Sequence, residues 1–246
     1  MWDEATAGRG ANQIASCLYK QLIDNLDPEI KTLTFYSDTC AGQNKNSFLP
    51  IMFMLLMREI KSLENINHKF LEPGHTHMEC DTDHSIIEKK KKKHEAPIEH
   101  PRDWMQLVHM CGKTKPFKVI EMKRKDFLEF SALLKTYFIN KKINEAGEQV
   151  IWRDIKWLRY SADQFGIVQY KTTLKYEEPF KKIDFKRKSK ISMPNIIKPP
   201  LSYKGPVPIN PMKEENLIEL LPLLIRPFIH FIKIFVRRII FQMLSH

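Results

Sequence analysis

The sequence predicts an α/β layered sheet followed by a smaller α+β subdomain, and three observations predict it. Over the first ninety residues, helix-periodic segments alternate with β-branched and aromatic runs, the pattern of a layered sheet with helical crossovers. The strand-like run TLTFYS ends at Asp38 beside a turn rich in Gly and Asn, and an open α/β sheet displays its ligand groups at such strand ends. Beyond a lysine run at 89–93 the texture changes to short apolar runs with close connections, which suit antiparallel pairing.

Each element follows from its residues. In ANQIASCLYKQLIDNL, Ile14, Cys17, Leu18, Leu22 and Leu26 recur at helical spacing, and Asp27 with Pro28 stops the helix. TLTFYSD then reads as a strand, and TCAGQNKN as its exit turn, because Gly and Asn accept the positive backbone angles of turns. Ser47 is the expected N-cap of a buried Met- and Leu-rich helix over about Phe48 to Ile60, with Pro50 tolerated in its first turn. INHKFLEPGHT reads as a short strand leaving through Pro73 and Gly74, and MECDTDHSIIEKKKKK as a helix. Further on, HPRDWMQLVHM and DFLEFSALLKTYF read as helices, and KPFKVIEMK as a strand. VIWRDIKWLRYS, FGIVQYKTTL and FKKIDFKRKSK read as three antiparallel strands. Residues 189–211 are rich in proline and read as an extended connector. The expected division is 1–94, 95–188, and 189–246 for the connector and a helical tail.

A chain of 246 residues, 43% hydrophobic, can bury the core of one large domain or two small ones, so disorder throughout is excluded. Its formal charge of +11 favours a polyanionic partner. The excess is uneven: residues 1–88 hold seven basic and thirteen acidic side chains, a balance of −6, so the rest carries +17. Cys17, Cys40, Cys80 and Cys111 show no C-x-x-C spacing, against both a zinc ribbon and a disulfide framework. MWDEATAGRG lacks the basic start and apolar run of a secretory signal, so a nuclear or cytoplasmic location is expected.

The candidate chemistry rests on Asp38, Asp81, His84 and Glu88. The last three are spaced i, i+3 and i+7 and fall within about a 60° arc of one helix face. A strand-end carboxylate facing helix-borne carboxylates can hold divalent cations through Asp38, Asp81 and Glu88, and two metals can activate water for phosphodiester cleavage. The competing reading is structural, with Asp38 capping its turn and Asp81 or Asp83 capping the helix. His75, His77, Cys80 and His84 make a possible zinc set, but their spacing fits no common finger pattern.

The motifs WDEATAGRGANQIASCL, YSDTCAGQNKN and EPGHTHMECDTDHSIIEK, with PRDWMQLV, DIKWLRYS and LSYKGPVPINPMKEENLIELLP, resemble a largely uncharacterised transposon-derived domain family of animal genomes. The similarity covers about residues 1 to 222. The resemblance implies an RNase-H-like fold of the transposase and integrase type, with Mg²⁺ or Mn²⁺ as cofactor when active and DNA as partner. Matched residue by residue, it places Asp38 after the fourth strand, Asp81, His84 and Glu88 on the late helix, and Trp2 and Asp3 at the end of the third strand. It therefore implies an N-terminally truncated copy without its first strands and first acid, and so a chain without nuclease activity.

Two basic clusters remain. Lys89, Lys90, Lys91, Lys92 and Lys93 form one, and Lys186, Arg187 and Lys188 the other, each suited to phosphate contact or to a solvated element end. Trp152, Trp157 and Tyr160 interleave with Arg153, Lys156 and Arg159, which predicts one core face and one basic face, with the tryptophans in the core. The tail LLIRPFIHFIKIFVRRIIFQML carries Arg226, His230, Lys233 and Arg237 along one helical stripe, so residues 217–246 are expected to make weak contact with a membrane surface rather than span it. Nuclease ancestry, non-catalytic nucleic-acid binding and peripheral membrane binding are the three function classes left open.

Overall fold

The alternation read from the sequence produces alternating elements. They are α1 (Ala11–Asn25), β1 (Thr32–Ser37), α2 (Phe48–Glu59), β2 (Asn65–Phe70), α3 (Glu79–Lys92), α4 (Pro101–His109), α5 (Phe130–Thr136), β3 (Trp157–Ser161), β4 (Ile167–Lys171), β5 (Lys181–Asp184) and α6 (Pro211–Leu220). The computed structural model describes residues 1–40, 42–72, 78–98, 100–112, 116–139, 142–187, 194 and 196–220. The chain divides into two units: Arg9–Thr76 with Asp126–Ser202, and Met1–Gly8 with His77–Lys125 and Tyr203–His246.

The first unit is an α/β layer with a five-stranded mixed open sheet in the order β1-β2-β3-β4-β5. β1 and β2 pair in parallel, Thr32 opposite Asn65 and Ser37 opposite Phe70, because α2 carries the chain back between them. β3 pairs antiparallel with β2 across a long connection, and β4 and β5 follow in antiparallel order through short ones. Period-two alternation assigns the two faces. Leu33 and Phe35, Ile66 and Phe70, Leu158 and Tyr160, and Val168 and Tyr170 pack into the core with the helices. The opposite face carries Tyr36, Asn67, Lys69, Trp157, Arg159, Gln169 and Lys171.

α2 is apolar all round, and Leu49 through Met57 are all buried. Such a helix must be covered on every side. The sheet covers one side, while α1 and α5 pack against it as well. Phe53 sits at the centre, its ring 5.1 Å from Phe35, 5.3 Å from Tyr160 and 5.8 Å from His68. Ser47 occupies the N-cap position, but its side chain makes no capping bond. Asn46 does that work: its Oδ1 accepts from the N–H groups of Phe48 at 2.9 Å and Leu49 at 3.3 Å.

The second unit gathers α3, α4 and α6 with both flanking segments. Met1 donates to the Ile120 carbonyl, Met122 N–H to the Met1 carbonyl, and Val207 N–H to the Ala5 carbonyl. The Tyr203 hydroxyl accepts from Gly8 N–H at 2.9 Å. Trp2 and Asp3 do not lie in a strand. Asp3 Oδ1 accepts from both the N–H and the hydroxyl of Thr6, closing a turn, and the Trp2 indole donates to the Ala7 and Gly8 carbonyls.

Three further expectations differ from the fold. Residues 116–123 of KPFKVIEMK form no strand, because their hydrogen bonds go to the N-terminal segment instead of a ladder. Trp152–Asp154 is a single 3₁₀ turn, and the strand begins only at Trp157. Trp157 is buried on the face away from the helices, since sharing the parity of Arg159 puts it with the cations, while Trp152 packs at the rim of the core.

Candidate functional site

Asp38 follows the last residue of β1 and belongs to the sheet unit. Its Oδ1 accepts from Cys40 N–H at 3.1 Å and from the Asn44 side-chain amide at 2.7 Å, so the carboxylate braces the turn that leads into α2. Beside it, Ser37 Oγ lies 2.7 Å from His68 Nε2 and donates to the Asp38 carbonyl at 3.1 Å. A single hydroxyl proton cannot serve both, so His68 donates through Nε2–H and its Nδ1 is left as a lone pair. That Nδ1 is buried without a partner. Burial, with a smaller contribution from Lys45, pushes the His68 pKa down from 6.5 to about 4. Lys45 is itself buried, donates to the Arg153 carbonyl at 2.5 Å and lies 5.0 Å from the Phe70 ring centroid. Desolvation by burial, then repulsion from Lys156, lowers its pKa.

Asp81, His84 and Glu88 stand on one face of α3 in the second unit and are all exposed. Asp81 Oδ2 accepts from Met78 N–H at 2.7 Å, satisfying one of the unpaired donors at the helix start. Asp38 and Asp81 therefore both hold local backbone in place, each within its own unit. Among the described residues of either unit, no three His, Cys, Asp or Glu side chains gather closely enough to hold a metal ion. His75 and His77 of the alternative zinc set lie outside the described residues.

α3 buries none of its residues. Its last turns present Lys89 to Lys93, all exposed, and none of the five pairs with a carboxylate among the described residues. The Lys91 ammonium lies 5.7 Å from the Trp104 ring of α4. In the sheet unit Lys186 and Arg187 are exposed after β5, the Arg187 guanidinium donating to the carbonyls of Leu134 and Phe138, and Lys188 lies outside the described residues.

The face of the sheet opposite α1, α2 and α5 forms a second cluster. Lys69 Nζ stands 4.1 Å from the Trp157 ring centroid, 4.6 Å from Tyr176 and 5.7 Å from Tyr36, and donates to the Tyr176 hydroxyl at 2.8 Å. The Lys171 ammonium is 4.8 Å from Trp157 and 4.4 Å from Phe180, and the Arg159 guanidinium is 4.1 Å from Phe180. Asn67 Oδ1 accepts from both Trp157 Nε1 and Arg159 Nε at 3.0 Å. The hydrogen bond from Lys69 lowers the Tyr176 pKa, and desolvation lowers that of Arg159. The alternation in NINHKF, WLRYS and IVQYK carries the signal for this cluster, but only once the pairing of β2, β3 and β4 is known.

No helix of the described residues is long and apolar enough to cross a membrane. Residues 221–246 of the expected membrane-surface tail lie outside the described residues. No curated protein and no solved structure matches the chain. A family model, described as a domain of unknown function (DUF7869), matches residues 3–157, a span that takes in α1 to α5, the parallel strand pair and Asp38, and the chain belongs to that family.

Proposed function

We propose that the chain is a nucleic-acid-binding domain of mobile-element origin, related to RNase-H-like nucleases, which works by contact rather than cleavage. The observation that carries the reading is the exposed Lys89–Lys93 run on a helix that buries nothing. A helix without a buried face gains little from packing, so its sequence is not explained by the core. The negative end of the helix dipole favours a cation or two in the last turn, but five in succession repel one another unless a polyanion neutralises them. The motif resemblance and the parallel β1–α2–β2 unit, with Asp38 at the end of β1, support the nuclease ancestry.

The test is fluorescence anisotropy with a labelled DNA duplex as salt is raised. Wild-type affinity is expected to fall steeply, and changing Lys89–Lys93 to glutamine is expected to flatten the log–log salt slope by up to about 4.5, near 0.9 for each phosphate that is no longer neutralised. An unchanged slope would refute the lysine role. Nicking of plasmid DNA with Mg²⁺ or Mn²⁺ that disappears in Asp38→Asn would replace contact with cleavage as the function.

A further inference from the structure

We infer that the sheet face opposite α1, α2 and α5 is a binding platform for single-stranded nucleic acid, in which Tyr36 and Tyr176 stack bases and Lys69, Arg159 and Lys171 attract the phosphate backbone. The inference shares with the preceding reading only the class of partner. Its residues lie in the other unit and its chemistry is stacking, so each can fail alone.

Charge comes first. Three cations sit on adjacent strands, and none forms an ion pair with a carboxylate among the described residues. Lys69 is 6% and Lys171 4% exposed, so both ammonium groups have given up most of their water. Their described partners are neutral: aromatic faces, the Tyr176 hydroxyl and the carbonyls of Lys175 and Tyr176. Buried cations are ordinarily paired with anions, so a face held together by neutral groups keeps an unmatched positive potential for an anionic ligand.

The exposed aromatics define what that ligand is. Trp157 is 2% exposed and acts as the floor, its indole fixed by Asn67. Tyr36 is 54% and Tyr176 71% exposed; Tyr176 sets one ring edge against Trp157, with centroids 5.1 Å apart, and leaves most of its ring open to solvent. Both rings stand within 6 Å of the same Lys69 ammonium. Rings open to solvent beside cations, on the sheet face opposite the helices of its own unit, are what a splayed base and its phosphate require. A duplex hides its base faces within the stack, and an acidic peptide has no use for the rings. The Asn67 and Gln169 amides on the same face are buried and engaged by Trp157, Arg159, Ser161 and Gln164, so recognition falls to the rings and the charges.

The experiment uses the full chain and fluorescein-labelled ten-residue oligomers, poly(U), poly(dT) and an abasic oligomer of equal charge, with the Lys89–Lys93 glutamine variant as background. That background is expected to retain single-strand binding, and Tyr36→Ala with Tyr176→Ala is expected to weaken it about tenfold or more. Tyr36→Phe with Tyr176→Phe, which keep the π faces, should bind within about twofold of the background. Duplex binding of the chain with its lysine run intact should not change in the double alanine variant. Equal binding of the abasic oligomer, competition by polyglutamate as strong as by poly(U), or unchanged affinity in the double alanine variant would each overturn the inference.

Discussion

Acidification from pH 7 to pH 5 is expected to destabilise the sheet unit through His68. The ring lies between Phe53 and Phe70, its Nε2–H engaged by Ser37 and its Nδ1 facing no acceptor. Protonation would place a second N–H and a full charge where neither is matched, which is why the folded pKa is held at about 4. The sign follows from proton counts. Between pH 6.5 and 4 the unfolded chain binds a proton at His68 and the folded chain does not, so stability is complete above 6.5 and is lost as pH falls through that window. At about 1.4 kcal/mol per unit, the loss is about 2 kcal/mol at pH 5 and roughly 3 kcal/mol once complete. The Glu148 carboxyl, held below its usual range by hydrogen bonds from Lys181 and Asn144, is the same in the wild type and in a His68 variant and cancels in their difference. Urea unfolding at pH 7, 6 and 5 would measure the slope in the wild type and in His68→Leu, in which Ser37 keeps its bond to the Asp38 carbonyl. The variant should lose about 2 kcal/mol less over that range, whatever its absolute stability, and the other histidines cancel in the difference. Parallel slopes, or an NMR titration placing the His68 midpoint at 6.5 or above, would refute the reasoning.

Two further expectations concern the sheet unit. Asn67→Ala strands the Trp157 indole and the Arg159 guanidinium together, and should lower stability by about 2 kcal/mol in urea unfolding, whereas Asn67→Asp, which keeps an acceptor among three cations, should be the more stable of the two. Gly166 adopts φ +85°, and a Cβ there would stand 2.5 Å from Lys186 Cγ. Gly166→Ala should therefore lower the thermal midpoint by an amount equivalent to roughly 1 to 3 kcal/mol, and adding Lys186→Ala should recover only part of it, because the backbone strain remains.

The parallel half of the fold is legible in the sequence because its signals are local. α2 has nine consecutive buried positions, β1 alternates residue by residue, and Asp27 with Pro28 ends α1 within two residues of the observed stop. Asp38 can be placed at the end of β1 for the same reason. What is not legible depends on partners distant in the chain. That β3 pairs with β2, ninety residues earlier, brings Asn67 to Trp157 and Lys69 beside it, and neither NINHKF nor WLRYS contains that information alone. The expectation of a buried Trp157 holds, but on the other face of the sheet, where it packs against Tyr176 and Phe180 and beneath the ammonium groups of Lys69 and Lys171. Asn46 displaces Ser47 as the capping side chain because the last residues before α2 already turn in helical fashion, moving the free N–H groups within reach of the earlier amide.

The two sides of the sheet answer different physical demands. The helix side is closed and apolar, and even its one histidine is kept neutral, so it supplies rigidity and little else. The other side could have reached the same stability with aliphatic residues or with paired acids and bases, since ion pairs seldom outperform apolar packing. It instead holds three cations against aromatic faces, at a desolvation cost that neutral contacts only partly offset. Supplying an anion would remove that cost, so a bound polyanion should stabilise the fold. Nucleic acid that engages this face must raise the unfolding midpoint of the sheet unit as its concentration passes the dissociation constant, by linkage. Were Asn67→Asp to place its carboxylate there first, it should stabilise the free chain and reduce the gain from the ligand together, a pairing of effects that a purely structural cluster would not produce.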